Sequence, residues 1–280
     1  MKSYSQRIGL TPEQKPIQTT EMDQDLRNSI WNILHTFYLS DAHSQFVPEE
    51  VKNLLRSMRI HFFKERIDEI FSFSMEAERV KRFVLESEWH RVYDYVQAVP
   101  MYFEPQYGQE GLNDKVRSIF NNMFETESAP CRFVGEELVN ITDQTEVDEV
   151  EKAMVYQDKY ALVSVHFKKA VRLLADKQKP DFSNSVKESI TAVEATCQAL
   201  TGNPKAVLDD ALKLLAKKND LHPALKDAFV KLYGYAGDAD GIRHALSVDS
   251  NLGYDDAKFM LVSCSAFSNY LICKIAKGTK

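Results

Sequence analysis

Glycine and proline are both scarce in this chain, at 10 and 9 of 280 residues. So few breakers argue against a turn-rich sandwich or barrel and favour long helices. Cysteine is equally thin: Cys131, Cys197, Cys264 and Cys273 stand far apart and form no C-x-x-C pair. That spacing disfavours a zinc site or a disulfide framework, and the four read as small apolar residues in a reducing compartment. No G-x-x-x-x-G-K-[ST] phosphate loop, G-x-G-x-x-G dinucleotide loop, G-x-S-x-G elbow or H-E-x-x-H pair is present. Asp238 and Asp240 before Gly241 faintly echo a calcium loop, but the third acid and the distal glutamate are missing. Kinase, zinc-protease and common hydrolase chemistries are thereby disfavoured, and neither a metal nor a cofactor is expected.

A long hydrophobic run is also lacking. The most apolar stretch, residues 258–275, is interrupted by Ser263, Ser265, Ser268 and Asn269 and bracketed by Lys258 and Lys274. A bilayer-spanning helix needs about 20 mostly apolar residues, so this segment reads as a buried bundle helix and no membrane partner is expected. Residues 1–18 are polar, without the apolar core of a secretory signal. A cytoplasmic location is the expectation.

What is present is an uneven charge and a strong helical rhythm. Residues 1–154 carry 17 Lys and Arg against 27 Asp and Glu, a balance of -10, whereas residues 155–280 carry 18 against 14, a balance of +4. Only the second half is suited to meet a polyanion. Leu26, Ile30, Trp31, Leu34 and Phe37 recur at helical spacing. Pro48, Glu49 and Glu50 open another helix with the stripe Val51, Leu54, Leu55 and Met58. Helical pattern continues over residues 62–71, 75–99 and 112–124. Residues 132–141 read as a small β-hairpin turning at Gly135, after which Thr142 is expected to cap an acidic first helical turn. The second half predicts helices over residues 159–177, 185–200, 205–218, 223–235, 242–246 and 254–275, joined by short loops as an antiparallel bundle. The predicted fold class is all-α, mainly helical. It comprises an N-terminal arm (1–21), a helical domain with one hairpin (22–157) and a helical bundle (158–280).

The densest polar cluster of the second half is YAGDADGIRHAL at 235–246, between two bundle helices. It is preceded by SVKESITAVEATC at 185–197 and followed by DAKFMLVSCSAF at 256–267. This ensemble resembles the HEPN superfamily, in the branch linked to AbiJ-type abortive-infection proteins. The first half, notably CRFVGEELVNITD at 131–143, is similar to the N-terminal domain paired with that branch.

The resemblance implies a metal-independent ribonuclease of phage defence, with arginine and histidine brought together across a dimer. Arginine offers a fixed fork of donors to a phosphodiester, and histidine exchanges a proton near neutral pH. The resemblance thus nominates Arg243 and His244 as catalytic. The family usually places histidine four to six positions after arginine, whereas these two are adjacent and diverge by about 100° on a helix. A two-fold interface would bring two such pairs together. The alternative function is a non-catalytic HEPN dimer that binds nucleotide, RNA or a partner protein.

Four acids are candidate supports. Asp240 is read as a cap of the short helix, and Asp238 as either a cap or a partner of Arg243. Glu188 completes a Ser185-x-x-Glu188 capping box. Glu194, at the margin of an apolar stripe, wants a cation, and Arg243 is the candidate. His244 also has a structural reading, as a capped or buried histidine, and His166 and His222 read as helix-margin and helix-start residues. Phe259, Met260, Val262, Phe267, Tyr270 and Leu271 offer more apolar surface than one bundle face needs, which predicts a homodimer through the C-terminal half. RNA and an antitoxin or regulatory protein are the other expected partners.

Overall fold

A computed structural model describes Tyr4 and residues 15–105, 109–176, 180–206, 212–213, 222–237 and 252–278. Among these residues the chain is mainly helical, with ten α-helices and one two-stranded antiparallel hairpin. It divides into two compact units, Met1–Thr142 and Asp143–Lys280.

In the first unit, α1 (Gln24–Leu34) begins where the Asp23 carboxylate accepts the Leu26 N–H at 2.9 Å. Its stripe Leu26, Ile30, Ile33 and Leu34 is buried. A wide π turn, His35–Leu39, follows directly and keeps Tyr38 and Leu39 in the core. Helix α2 (Glu49–Ser57) buries Val51, Leu54 and Leu55 and also runs into a π turn, Met58–Phe62.

The helical pattern expected over residues 62–71 is not helical beyond its first residue, apart from the short 3₁₀ turn Ile67–Glu69. The reason is Arg59, which is only 5% exposed. Its guanidinium donates to Glu76 at 2.6 Å, to Glu69 at 3.1 Å and to the Arg66 carbonyl at 2.6 Å, and Glu65 lies 3.5 Å away. The segment wraps around that cation. Helix α3 (Phe73–Glu86), capped by Ser72, supplies Glu76 and Arg79. The single helix expected over residues 75–99 is two, because Ser87 and Glu88 are extended between α3 and α4 (Trp89–Tyr102).

Helix α5 (Leu112–Thr126) starts after Gly111, whose φ of 81° suits glycine. The hairpin forms at the expected place. Strand β1 (Arg132–Val134) pairs with β2 (Glu137–Val139) in the register Arg132↔Val139, Phe133↔Leu138 and Val134↔Glu137. Two strands alone are marginal, and side-chain amides complete this pair. Asn121 of α5 gives one hydrogen bond to the Phe133 carbonyl (2.9 Å) and takes one from its N–H (2.7 Å). Gln97 of α4 accepts from the Leu138 N–H at 3.2 Å.

In the second unit, α6 (Gln144–Met154) is capped by Asp143, which accepts from the Thr145 and Glu146 N–H groups. The cap is thus one residue later than the Thr142 expected. Helices α7 (Ala161–Ala175), α8 (Phe182–Thr201), α9 (Pro223–Gly237) and α10 (Tyr254–Gly278) follow. Helix α8 packs on both α7 and α10, and α6 packs on α10 and α7. Ser185, Ser189, Ala192 and Thr196 of α8 are fully buried. Their small size admits a close neighbour, and Ser185 Oγ donates to the Ala170 carbonyl of α7 at 2.9 Å. Asn269 of α10 ties the core to α6, donating to the Glu149 backbone and carboxylate and accepting from Tyr156. Most of the helix expected over residues 205–218, and all of that over 242–246, lies outside the described residues.

The Arg59 pair generates a stability prediction. Arg59→Met leaves the buried Glu76 carboxylate without its cation and should lower unfolding free energy by about 3–5 kcal/mol. The double change Arg59→Met with Glu76→Leu should regain much of that loss. Denaturant unfolding of the three proteins checks it, and equal stability of Arg59→Met and the wild type would contradict it.

Candidate functional site

The sequence-nominated residues fall in two places. Arg243, His244, Asp238 and Asp240 lie outside the described residues, in the connection between α9 and α10. Glu188 and Glu194 both lie on α8. Six residues apart, they are separated by about 9 Å along the axis and point in different directions, so the helix does not bring them together as a carboxylate pair.

Glu188 does not form the expected capping box. Helix α8 begins at Phe182 with Asp181 as its cap, accepting the Asn184 N–H at 3.0 Å, so Ser185 and Glu188 are already inside the helix. The Glu188 carboxylate instead reaches across to α7. It meets His166 Nδ1 at 2.7 Å and also pairs with Lys169 Nζ. Partial burial by itself raises the Glu188 pKa, but the hydrogen bonds from His166 and Lys169 outweigh it and hold the carboxyl below the ordinary glutamate value of 4.5. His166 was read from sequence as a helix-margin residue. Its cross-helix partner has no local signature, though His166 and Lys169 at i, i+3 do mark a cationic edge of α7. Glu194 is half-buried on the same helix, and its charge is felt by the Cys197 thiol, which burial pushes up to about 12.

The thiols have little nucleophilic character where they are deepest. Burial also pushes Cys264 up to about 12, and none of the four cysteines is in a disulfide. Among the described residues one acidic group, Asp23, Asp25 and Glu127, is compact enough for a cation. Its centre is held by Lys15 Nζ, at 3.1, 2.7 and 3.1 Å from the three carboxylates. That ammonium takes the place a metal would need. On α10, Met260, Phe267 and Leu271 are buried within the unit, leaving Phe259 and Tyr270 exposed. Among the described residues no helix is long and apolar enough to cross a membrane.

A mainly helical chain of two compact units, with its one hairpin clamped between α4 and α5, is the class of protein these features define. Residues 2–155 match the family AbiJ N-terminal domain 4, and the chain belongs to that family. No curated protein and no solved structure matches it.

The ion pair of Glu188 has a pH signature. Because its folded-state pKa is depressed, its contribution to stability is present above pH 4.5 and is lost as pH falls through the lower folded-state value. The stability gap between wild type and Glu188→Gln should therefore be widest near neutral pH and close in acid. Chemical denaturation from pH 7 to pH 3 measures it, and a gap that stays constant over that range would show that the pair contributes nothing.

Proposed function

We propose that this protein is an abortive-infection effector of phage defence whose C-terminal unit is a HEPN-type, metal-independent RNA endonuclease. The observation that carries this reading is membership of the AbiJ N-terminal domain family over residues 2–155. It is supported by the helical character of the second unit and by the mild basicity of residues 155–280. In this reading Arg243 grips the scissile phosphate through its planar fork, and His244 moves a proton to or from the ribose 2'-hydroxyl or the leaving oxygen. The 2'-hydroxyl is the nucleophile, so the reaction requires no metal. Glu194 on α8 orients Arg243, Asp240 and Asp238 shape the turn, and Glu188 acts only through its bonds to α7. The protein works in the cytoplasm, restrained by an antitoxin or regulatory partner.

The adjacency of Arg243 and His244 favours a second reading, in which a HEPN dimer binds RNA, nucleotide or a partner protein without cleaving. The two readings separate in one experiment. RNA cleavage by the purified chain should persist in EDTA, and Arg243→Lys and His244→Ala should each reduce it by about 100-fold or more while circular dichroism stays unchanged. Cleavage at the wild-type rate in both folded variants, or loss in EDTA with rescue by added metal, would remove the nuclease mechanism proposed here. RNA binding without cleavage would select the second reading.

Both readings place a two-fold axis in the C-terminal unit, and the exposed Phe259 and Tyr270 of α10 are the apolar surface available for it. Light scattering should report a dimer at tens of micromolar and a monomer for Phe259→Asp. A wild-type monomer at that concentration would count against the assembly.

A further inference from the structure

Arg132 opens β1 and is 3% exposed, yet among the described residues no carboxylate reaches ion-pair distance of it. Its two hydrogen bonds both come from Nη1, to the carbonyls of Ala129 (3.0 Å) and Cys131 (2.8 Å). Nε has no partner, and among the described residues nothing accepts from Nη2. The unused Nε–Nη2 edge is one of the two edges with which a guanidinium grips an oxyanion in bidentate fashion. A buried cation left in this state is costly unless something negative meets it.

The surroundings point the same way. The hydroxyl of Tyr93 on α4 is buried and also lacks a hydrogen-bond partner, and it lies within electrostatic reach of Arg132, Arg27 and Asp23. Arg27, on α1, likewise bonds only to backbone carbonyls, of Met22 (3.3 Å) and Val84 (2.8 Å). The acids nearby do not answer these cations. Asp23 caps α1 and pairs with Lys15, and Glu125 is exposed and beyond ion-pair distance. Burial pulls the Arg132 pKa down, which registers the missing anion. The backbone beside it is held in a left-handed conformation at a non-glycine residue, Ser128 (φ 55°). The Ala129 N–H closes onto the Phe124 carbonyl at 2.8 Å, and Gln18 bonds the Ser128 carbonyl at 3.0 Å. Strain of this kind persists where surrounding structure enforces it, often at ligand sites.

We propose that Arg132, with the Tyr93 hydroxyl and the Arg27 guanidinium, forms an oxyanion site in the N-terminal unit that takes a phosphate group of a small phosphorylated ligand. The Nε–Nη2 edge of Arg132 receives two phosphate oxygens, Tyr93 donates to a third, and Arg27 balances the remaining charge. Carbonyl bonds at Nη1 hold the fork in place before the ligand arrives, so little ordering is needed on binding. The site stands apart from Arg243 and His244 in sequence and in unit, and the inference does not depend on the nuclease reading.

The test uses the full chain with inorganic phosphate as the probe and inorganic pyrophosphate in a second arm, each against sodium chloride of matched ionic strength. Calorimetry should show saturable binding of at least one probe, with a rise in melting temperature. Arg132→Lys keeps the charge but loses the fork, and should weaken binding by about tenfold or more. Tyr93→Phe removes a single donor and should weaken it severalfold. No saturable binding of either probe at tens of millimolar overturns the proposal, as does binding that both variants leave unchanged. If Arg132→Lys fails to fold, Tyr93→Phe decides alone: unchanged affinity in that variant overturns the site. RNA cleavage need not be measured, so failure here is distinguishable from failure of the nuclease reading.

Discussion

The first unit is organised around one buried ion pair, Arg59 with Glu76. Both side chains are out of water, and neither charge is tolerable there alone. Arg59 extends from the π turn after α2, and Glu76 sits in the first turn of α3, so their attraction fixes the angle between those elements before any apolar contact is counted. Residues 63–72 then have little freedom, because the Arg66 carbonyl and the acids Glu65 and Glu69 must converge on the same guanidinium. Beneath them Phe62, Phe63, Phe83 and Tyr95 pack with centroids 5.1–5.9 Å apart. Arg79 lies 4.1 Å over the Phe63 ring while pairing with Glu65, which joins the polar network to the aromatic layer.

That network explains which parts of the fold were legible in the sequence. Apolar periodicity and the scarcity of breakers sufficed for the fold class, because a helix that buries one face must repeat it. The hairpin was legible because Phe133 and Val134, then Leu138 and Val139, flank a glycine at the turn. Residues 62–71 were misread because periodicity registers apolar positions and is blind to a buried arginine. Arg59 stands between Met58 and Ile60 and looks like a solvated helix residue until Glu76 is brought to it. Glu188 failed for a related reason. The Ser185-x-x-Glu188 spacing is a cap only if the helix starts there, and Asp181 starts it earlier. The candidate site was legible as residue types in a polar loop, but the partners of α8 are cross-helix, and such partners carry no local pattern.

The family match and the packing do not end at the same residue. The match runs to residue 155, while the first compact unit ends at Thr142. Helix α6 therefore belongs by sequence to the family region and by packing to the second unit. Its Val147, Val150, Ala153 and Met154 are buried, its Glu149 holds Asn269, and its Glu146 pairs with Lys258 at 2.9 Å. A covalent segment shared in this way lets a change at the hairpin reach the bundle through one helix, because Asp143, which caps α6, follows β2 by only four residues.

The two buried arginines of the first unit make a controlled comparison. Arg59 and Arg132 are about equally hidden, lie in the same unit and face the same desolvation cost. Arg59 meets it with two hydrogen-bonded carboxylates, a third nearby and a carbonyl, so its charge is consumed by the fold. Arg132 has two carbonyls on one nitrogen and an empty edge. Carbonyl dipoles orient a guanidinium but do not neutralise it. If burial served only to staple the end of α5 to β1, a neutral donor at position 132 would do the same work without a charge to desolvate. Retaining a full cation with half of its donors unused makes physical sense when the counter-charge arrives from outside the chain, and the neighbouring Tyr93 hydroxyl, also buried without a partner, is in the same condition.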